Sequence, residues 1–97
     1  MTTYVILSTF TDQGIRSVKQ TTKRADAAKV AAKELGVTLR EILWTQGQYD
    51  VLSIIDAPDD AAVAAFGLSL AGAGNVRSQT LRAFTKDDME KILAKVA

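Results

Sequence analysis

The side chains best equipped for chemistry gather in one stretch, Trp44-Thr45-Gln46-Gly47-Gln48-Tyr49-Asp50, between two β-forming runs. Asp50 stands at the edge of a strand beside an aromatic residue. Against apolar neighbours its carboxyl would have a raised pKa and could act as a general acid or base, which makes it the one catalytic candidate. Its structural uses are an ion pair with Arg16, Arg40 or Arg82, or acceptance of hydrogen bonds from turn amides. Trp44, Tyr49 and Tyr4 each join a large apolar body to one polar tip. They suit a ligand pocket, although core or interface packing is the commoner use of such residues. Arg16, near an expected helix start, can grip a carboxylate or phosphate through two parallel hydrogen bonds, with Asp12 four residues earlier as a local alternative partner. Arg82 has the same capacity. The ligand-binding candidates are therefore Arg16, Trp44, Tyr49, Asp50 and Arg82.

Composition removes several other chemistries. The 97 residues include no cysteine and no histidine, so thiolate catalysis, disulfides, imidazole triads and His- or Cys-ligated metals are all excluded. The acidic pairs Asp59-Asp60 and Asp87-Asp88 fall at expected helix starts, where the helix dipole accounts for them without a metal. The residues call for no cofactor. Twelve basic and eleven acidic side chains leave a net charge of +1, which gives no electrostatic reason to expect a nucleic-acid or membrane partner. Val51 to Ile55 lacks the basic, glycine-aromatic pattern of RNA-reading sheets. Gly67, Gly72 and Gly74 lack the Lys-Ser or Lys-Thr that a phosphate-cradling loop requires. Met1 to Val5 carries no basic segment ahead of its apolar run, so a cytoplasmic location is expected. Ala61 to Gly74, the longest apolar stretch, is shorter than the about 20 residues that span a bilayer.

The elements that must position these groups follow from periodicity. Thr3 to Phe10 reads as a strand with Tyr4, Ile6 and Phe10 on one face and Val5 and Leu7 on the other, so both faces want cover. Thr11 is placed to cap a helical turn from which Ile15 and Val18 point inward. A second helix starts near Thr22 with Ala28, Ala31, Ala32 and Leu35 at i, i+3, i+4, i+7, and Gly36 ends it. Strands over Thr38 to Thr45 and Tyr49 to Ala57, joined by Gln46-Gly47-Gln48, make a hairpin in which Gly47 supplies positive φ. Asp59 caps a helix to about Ala71, with Val63, Phe66, Gly67 and Leu70 inward. A glycine mid-helix costs about 1 kcal/mol, so Gly67 is expected to admit a second backbone. Val76 to Phe84 is a fourth strand, and Thr85-Lys86-Asp87-Asp88 resembles a capping box opening a helix with Met89, Ile92, Leu93 and Val96 on one face.

The order is that of an α+β, ferredoxin-like βαββαβ fold: a four-stranded antiparallel sheet with helices on one face, plus a C-terminal helix. Residues 1–84 form the domain. Residues 85–97 form an amphipathic helix that packs on it or on a neighbouring subunit. The helices leave one sheet face bare. Yet the first strand is apolar on both faces and the third carries Val51 and Ile55 on one side with Leu52 and Ile54 on the other, so whichever face is bare exceeds the exposed patch of roughly 300–600 Å² that monomers tolerate. A homodimer or higher homo-oligomer, joined sheet to sheet, is the expected remedy. Ser53, Ser78, Thr80, Arg82 and Asp50 are the polar residues that could face a cavity in such a barrel.

The segments Thr11-Asp12-Gln13-Gly14-Ile15-Arg16, Trp44 to Val51, Asp56 to Asp60, and Gly74 to Phe84 together resemble the GYD domain family. Gly47-Gln48-Tyr49-Asp50 is similar to the motif that names it. The likeness covers the chain as far as Phe84 and leaves the terminal helix outside. It implies a dimeric α+β barrel type of fold and assembly into oligomers, and it implies no activity. The sequence therefore points to a homo-oligomeric small-molecule-binding or regulatory protein. Two alternatives accompany this reading. One is a cofactor-free enzyme of the isomerase or monooxygenase kind, with Asp50 as base and Arg16 or Arg82 stabilising an oxyanion. The other is a structural subunit of a larger complex.

Overall fold

The computed structural model describes residues 1–97. Its elements are β1 (Thr2–Phe10), α1 (Asp12–Arg16), a 3-10 turn (Val18–Gln20), α2 (Thr21–Glu34), β2 (Thr38–Trp44), β3 (Val51–Ala57), α3 (Asp60–Gly72), β4 (Val76–Ala83) and α4 (Lys86–Leu93). The strands form one sheet in the order β2-β3-β1-β4, with every pairing antiparallel. This is the ferredoxin-like α+β arrangement expected from the element order.

Register decides which side chains share a face. Tyr4 pairs with Ile55 and Arg82, Ile6 with Ser53 and Thr80, and Ser8 with Val51 and Ser78. These rows lie under α2 and α3. Alternate rows face away: Val5 with Ile54 and Leu81, and Leu7 with Leu52 and Gln79. At β2 the register shifts between Leu39 and Glu41, and the extra residue, Arg40, donates to Asp56 at 3.3 Å in the chain's only ion pair.

The core occupies one end of the helix-covered face. Tyr4, Ile6, Val37, Ile55 and Ala57 meet Ala32 of α2 and Val63 and Phe66 of α3 there. Only 11 residues are buried, and the chain exposes 6480 Å². A compact monomer of this size would expose about 5,400 Å². The excess, roughly 1,000 Å², is comparable with the about 800 Å² that each partner buries in a standard interface. Its shape accounts for it: the molecule is a slab of 50 × 31 × 17 Å, with α2 and α3 on one side of the sheet.

Several local expectations need correction. Ile15 and Val18 are 53% and 37% exposed, because α1 packs through Gly14 instead. A Cβ on Gly14 would stand 2.0 Å from the Asn75 carbonyl oxygen, so this glycine, not Gly67, is where a second backbone comes close. At Gly67 a Cβ would meet only Thr80 Oγ1, at 4.0 Å. Helix α2 begins at Thr21, one residue before the expected cap, and Gln20 ahead of it makes no side-chain cap. The β2–β3 link runs from Thr45 to Asp50 rather than over three residues. It closes on itself, Thr45 N donating to Asp50 O at 2.8 Å and Thr45 Oγ1 to Tyr49 O at 2.7 Å. Gly47 supplies the positive φ, 104°.

Candidate functional site

Beyond the core, toward the other end of the strands, α2 and α3 separate over the sheet and leave an open-mouthed cleft of about 290 Å³. The cause is local. Helix α2 carries small residues at this level, Ala25, Ala28 and Ala31, and Ala73 follows the end of α3, where leucines would have closed the gap. The floor is Ile42 and Trp44 of β2, Val51 and Ser53 of β3, and Ser8 and Phe10 of β1. Phe66 and Leu70 form the wall on the core side. The volume is near the lower end of the range for small-molecule sites, and the lining is apolar with a few polar groups, which is their usual make-up.

Those polar groups are specific. Ser8 and Ser78 hydroxyls pair at 2.9 Å across β1 and β4. Ser53 faces the same space from β3 with its hydroxyl unpartnered within the chain. At the mouth, Trp44 Nε1 donates to Thr21 Oγ1 at 3.0 Å and pins the indole to the start of α2. Arg24, one turn further on, also lines the cleft. Its Nη1 donates to the carbonyl and hydroxyl of Ser17, at 3.0 and 3.1 Å, and its Nη2 to Gly14 O at 3.3 Å. All three acceptors are neutral oxygens, so the guanidinium charge has no counter-ion.

The five residues singled out from sequence do not come together. Trp44 lies in the cleft. Tyr49 folds toward the uncovered sheet face, its hydroxyl donating to Gln79 Oε1 at 3.0 Å. Asp50 accepts from the Phe10 amide at 2.8 Å through Oδ2 while its own amide donates to Ser8 O at 2.8 Å, so it clasps the end of β1 to β3. Arg16 is exposed on α1. Arg82 sits level with Tyr4, six residues along β1 from Phe10 and thus about 20 Å from Asp50. Its guanidinium lies 4.5 Å from the Phe84 ring and 5.8 Å from the Tyr4 ring, and it donates to Thr3 O at 3.2 Å. Tyr4 donates its hydroxyl to Asp60 there, and that hydrogen bond, with burial behind it, raises the phenol's pKa above its ordinary value. Ser53, Ser78, Thr80 and Arg82 all belong to the helix-covered face, so they line no space between two stacked sheets.

Arg24 and the role of Ser53 are not among the residues expected from sequence. A signal for Arg24 existed: it lies four residues before Ala28 and seven before Ala31, and so continues the alanine stripe with a charge where the periodicity asks for an apolar residue.

No helix is long and apolar enough to cross a membrane. No solved structure matches the chain. It is similar to a protein of Thermus thermophilus described as a glutamine synthetase and cystathionine beta-lyase binding protein, 32% identical over 90 residues that make up 92% of this chain and 95% of that one. The family model for the GYD domain matches residues 4–93, passing through α4 and so further than the segments ending at Phe84. An open-faced ferredoxin-like sheet, a clasp at Gly47 to Asp50 and a match over nearly its whole length place this chain in the GYD domain family.

Proposed function

We propose that this chain is a homo-oligomeric regulatory protein that pairs through its uncovered sheet face and offers its remaining surface to a protein partner. The observation that carries this reading is that face: Val5, Leu7, Leu52, Ile54, Leu43 and Leu81 form a continuous apolar field on the side away from α2 and α3. A second copy suits it best. Exposed Glu41 marks the β2 edge and exposed Arg77 the β4 edge of the same face. A two-fold axis along the strands lays β2 of one copy over β4 of the other and stacks the two apolar centres, with Glu41 and Arg77 left at the polar rim.

The description of the Thermus relative as a binding protein for two enzymes supports a protein partner, and an enzyme is the class that it suggests. Helix α4 is a second surface suited to that role. Its capping box is complete and its apolar stripe is exposed, Met89 at 45% and Leu93 at 55%. Native mass spectrometry of the protein purified gently from its source tests the reading, since it reports subunit number and any foreign chain together. The expected result is an even number of copies with a second polypeptide attached. A lone chain carrying nothing would overturn it.

A further inference from the structure

We infer that the cleft between α2 and α3 is a binding site for a monocarboxylate with an apolar body, whose carboxylate sits on Arg24 and whose tail lies over Ser53. The inference is independent of how the opposite sheet face is used.

Arg24 is the group that selects the ligand class. Its three hydrogen bonds, to the Ser17 carbonyl and hydroxyl and to the Gly14 carbonyl, fix the plane of the guanidinium without neutralising it. They run from Nη1 and Nη2 only, which leaves the Nε–H free to act with its neighbour Nη2. That pair is the side-on fork that matches the two oxygens of a carboxylate. A half-buried cation lining an apolar cleft, aligned by neutral acceptors and lacking a carboxylate of its own, is electrostatically incomplete. The chain spends its one ion pair elsewhere, on Arg40 and Asp56.

The cleft sets the rest of the ligand. Ala28, Ala31, Ile42, Val51 and Leu70 offer an apolar tail nothing but van der Waals contact. Ser8 is committed to Ser78, so Ser53 supplies the one unpartnered hydroxyl on the floor, enough for a single polar atom on the tail. No second cation lines the space, so a dianion or a phosphate ester would leave charge uncompensated. The volume of about 290 Å³ suits a short aliphatic chain or a single aromatic ring.

Sodium octanoate is the test probe, with octanamide as the same body without charge and acetate as the charge without the body. Titration of the full chain followed by amide chemical shifts and Trp44 fluorescence should show octanoate binding once per chain, with shifts at Ala28, Ser53 and Leu70. Octanamide should bind at least tenfold more weakly, and acetate should leave the cleft amides unmoved. Arg24→Gln should lose at least tenfold in octanoate affinity. Because Arg24 also holds α1 to α2, a second variant, Ala28→Leu, fills the cleft but keeps the guanidinium, and should abolish binding while the sheet amides keep their positions. Equal affinity for octanoate and octanamide, unchanged octanoate binding by Ala28→Leu, or no binding of octanoate at millimolar concentration would each overturn the assignment. None of these outcomes bears on subunit number.

Discussion

Leu7 of β1 and Leu52 of β3 stand opposite each other in the sheet, both half-buried, on the side that faces away from α2 and α3. They are the middle of the apolar field, and they contribute nothing to the core on the other face. If a second copy covers them, Leu52→Glu places a carboxylate and its symmetry mate in a dry interface, at a cost of about 3–5 kcal/mol for charge left uncompensated. The expected outcome is dissociation with the helix-side core intact. Scanning calorimetry checks it: the melting temperature of the parent chain should rise with protein concentration, and that of the variant should not.

Two of the helical glycines, Gly14 and Gly67, should respond in opposite directions. Gly14→Ala forces a Cβ into the Asn75 carbonyl and should destabilise the fold by about 1–3 kcal/mol or more, since backbone on both sides must move. Gly67→Ala meets only ordinary contact distance and should stabilise α3 by about 1 kcal/mol. Urea denaturation of the two variants measures both signs.

Asp50 is expected to behave as a structural clasp. Asp50→Ala removes the acceptor for the Phe10 amide and should cost about 1.5–3 kcal/mol, the range for hydrogen bonds to a charged group, while Asp50→Asn keeps an acceptor and should cost less. Hydrogen exchange at the Phe10 amide should accelerate in Asp50→Ala. If both variants were as stable as the parent, the clasp would carry no energy.

The pH response of α4 follows from Asp88. The Thr85 amide and hydroxyl, in that order, hold its carboxyl below its ordinary value of 3.8. A depressed folded value means that the capping contribution is complete above the unfolded value and is lost as pH falls through the folded one. Helix α4 should therefore unwind under acid, below pH 3.8, ahead of the sheet. Carbonyl and Cα shifts of Met89 to Leu93 across that window check this, and Asp88→Asn should remove the pH dependence.

How far the sequence foretold these features depended on whether the deciding contact was local. The alternation Val5, Ile6, Leu7 in β1 and Leu52 to Ile55 in β3 revealed a sheet apolar on both faces, because side-chain direction in a strand is fixed by the period of two. Thr85 to Asp88 revealed a capping box because both partners lie within four residues. Gly14 and Gly67 could not be told apart, since only the approach of Asn75, sixty-one residues away in the chain, distinguishes them. Asp50 gave its type and not its partner, for Phe10 lies on another strand. Arg24 stayed hidden because a charge on a helix is ordinarily solvated; its orientation depends on carbonyls of Gly14 and Ser17 that the bend between α1 and α2 turns toward it.

Sedimentation velocity of the parent chain at low micromolar concentration tests the pairing of sheet faces most directly. The expected result is a dimer or a larger even assembly, and a shift to single chains for Leu52→Glu. A stable, well-folded single chain that binds no hydrophobic dye would contradict it, because the field around Leu7 and Leu52 would then have no need of cover.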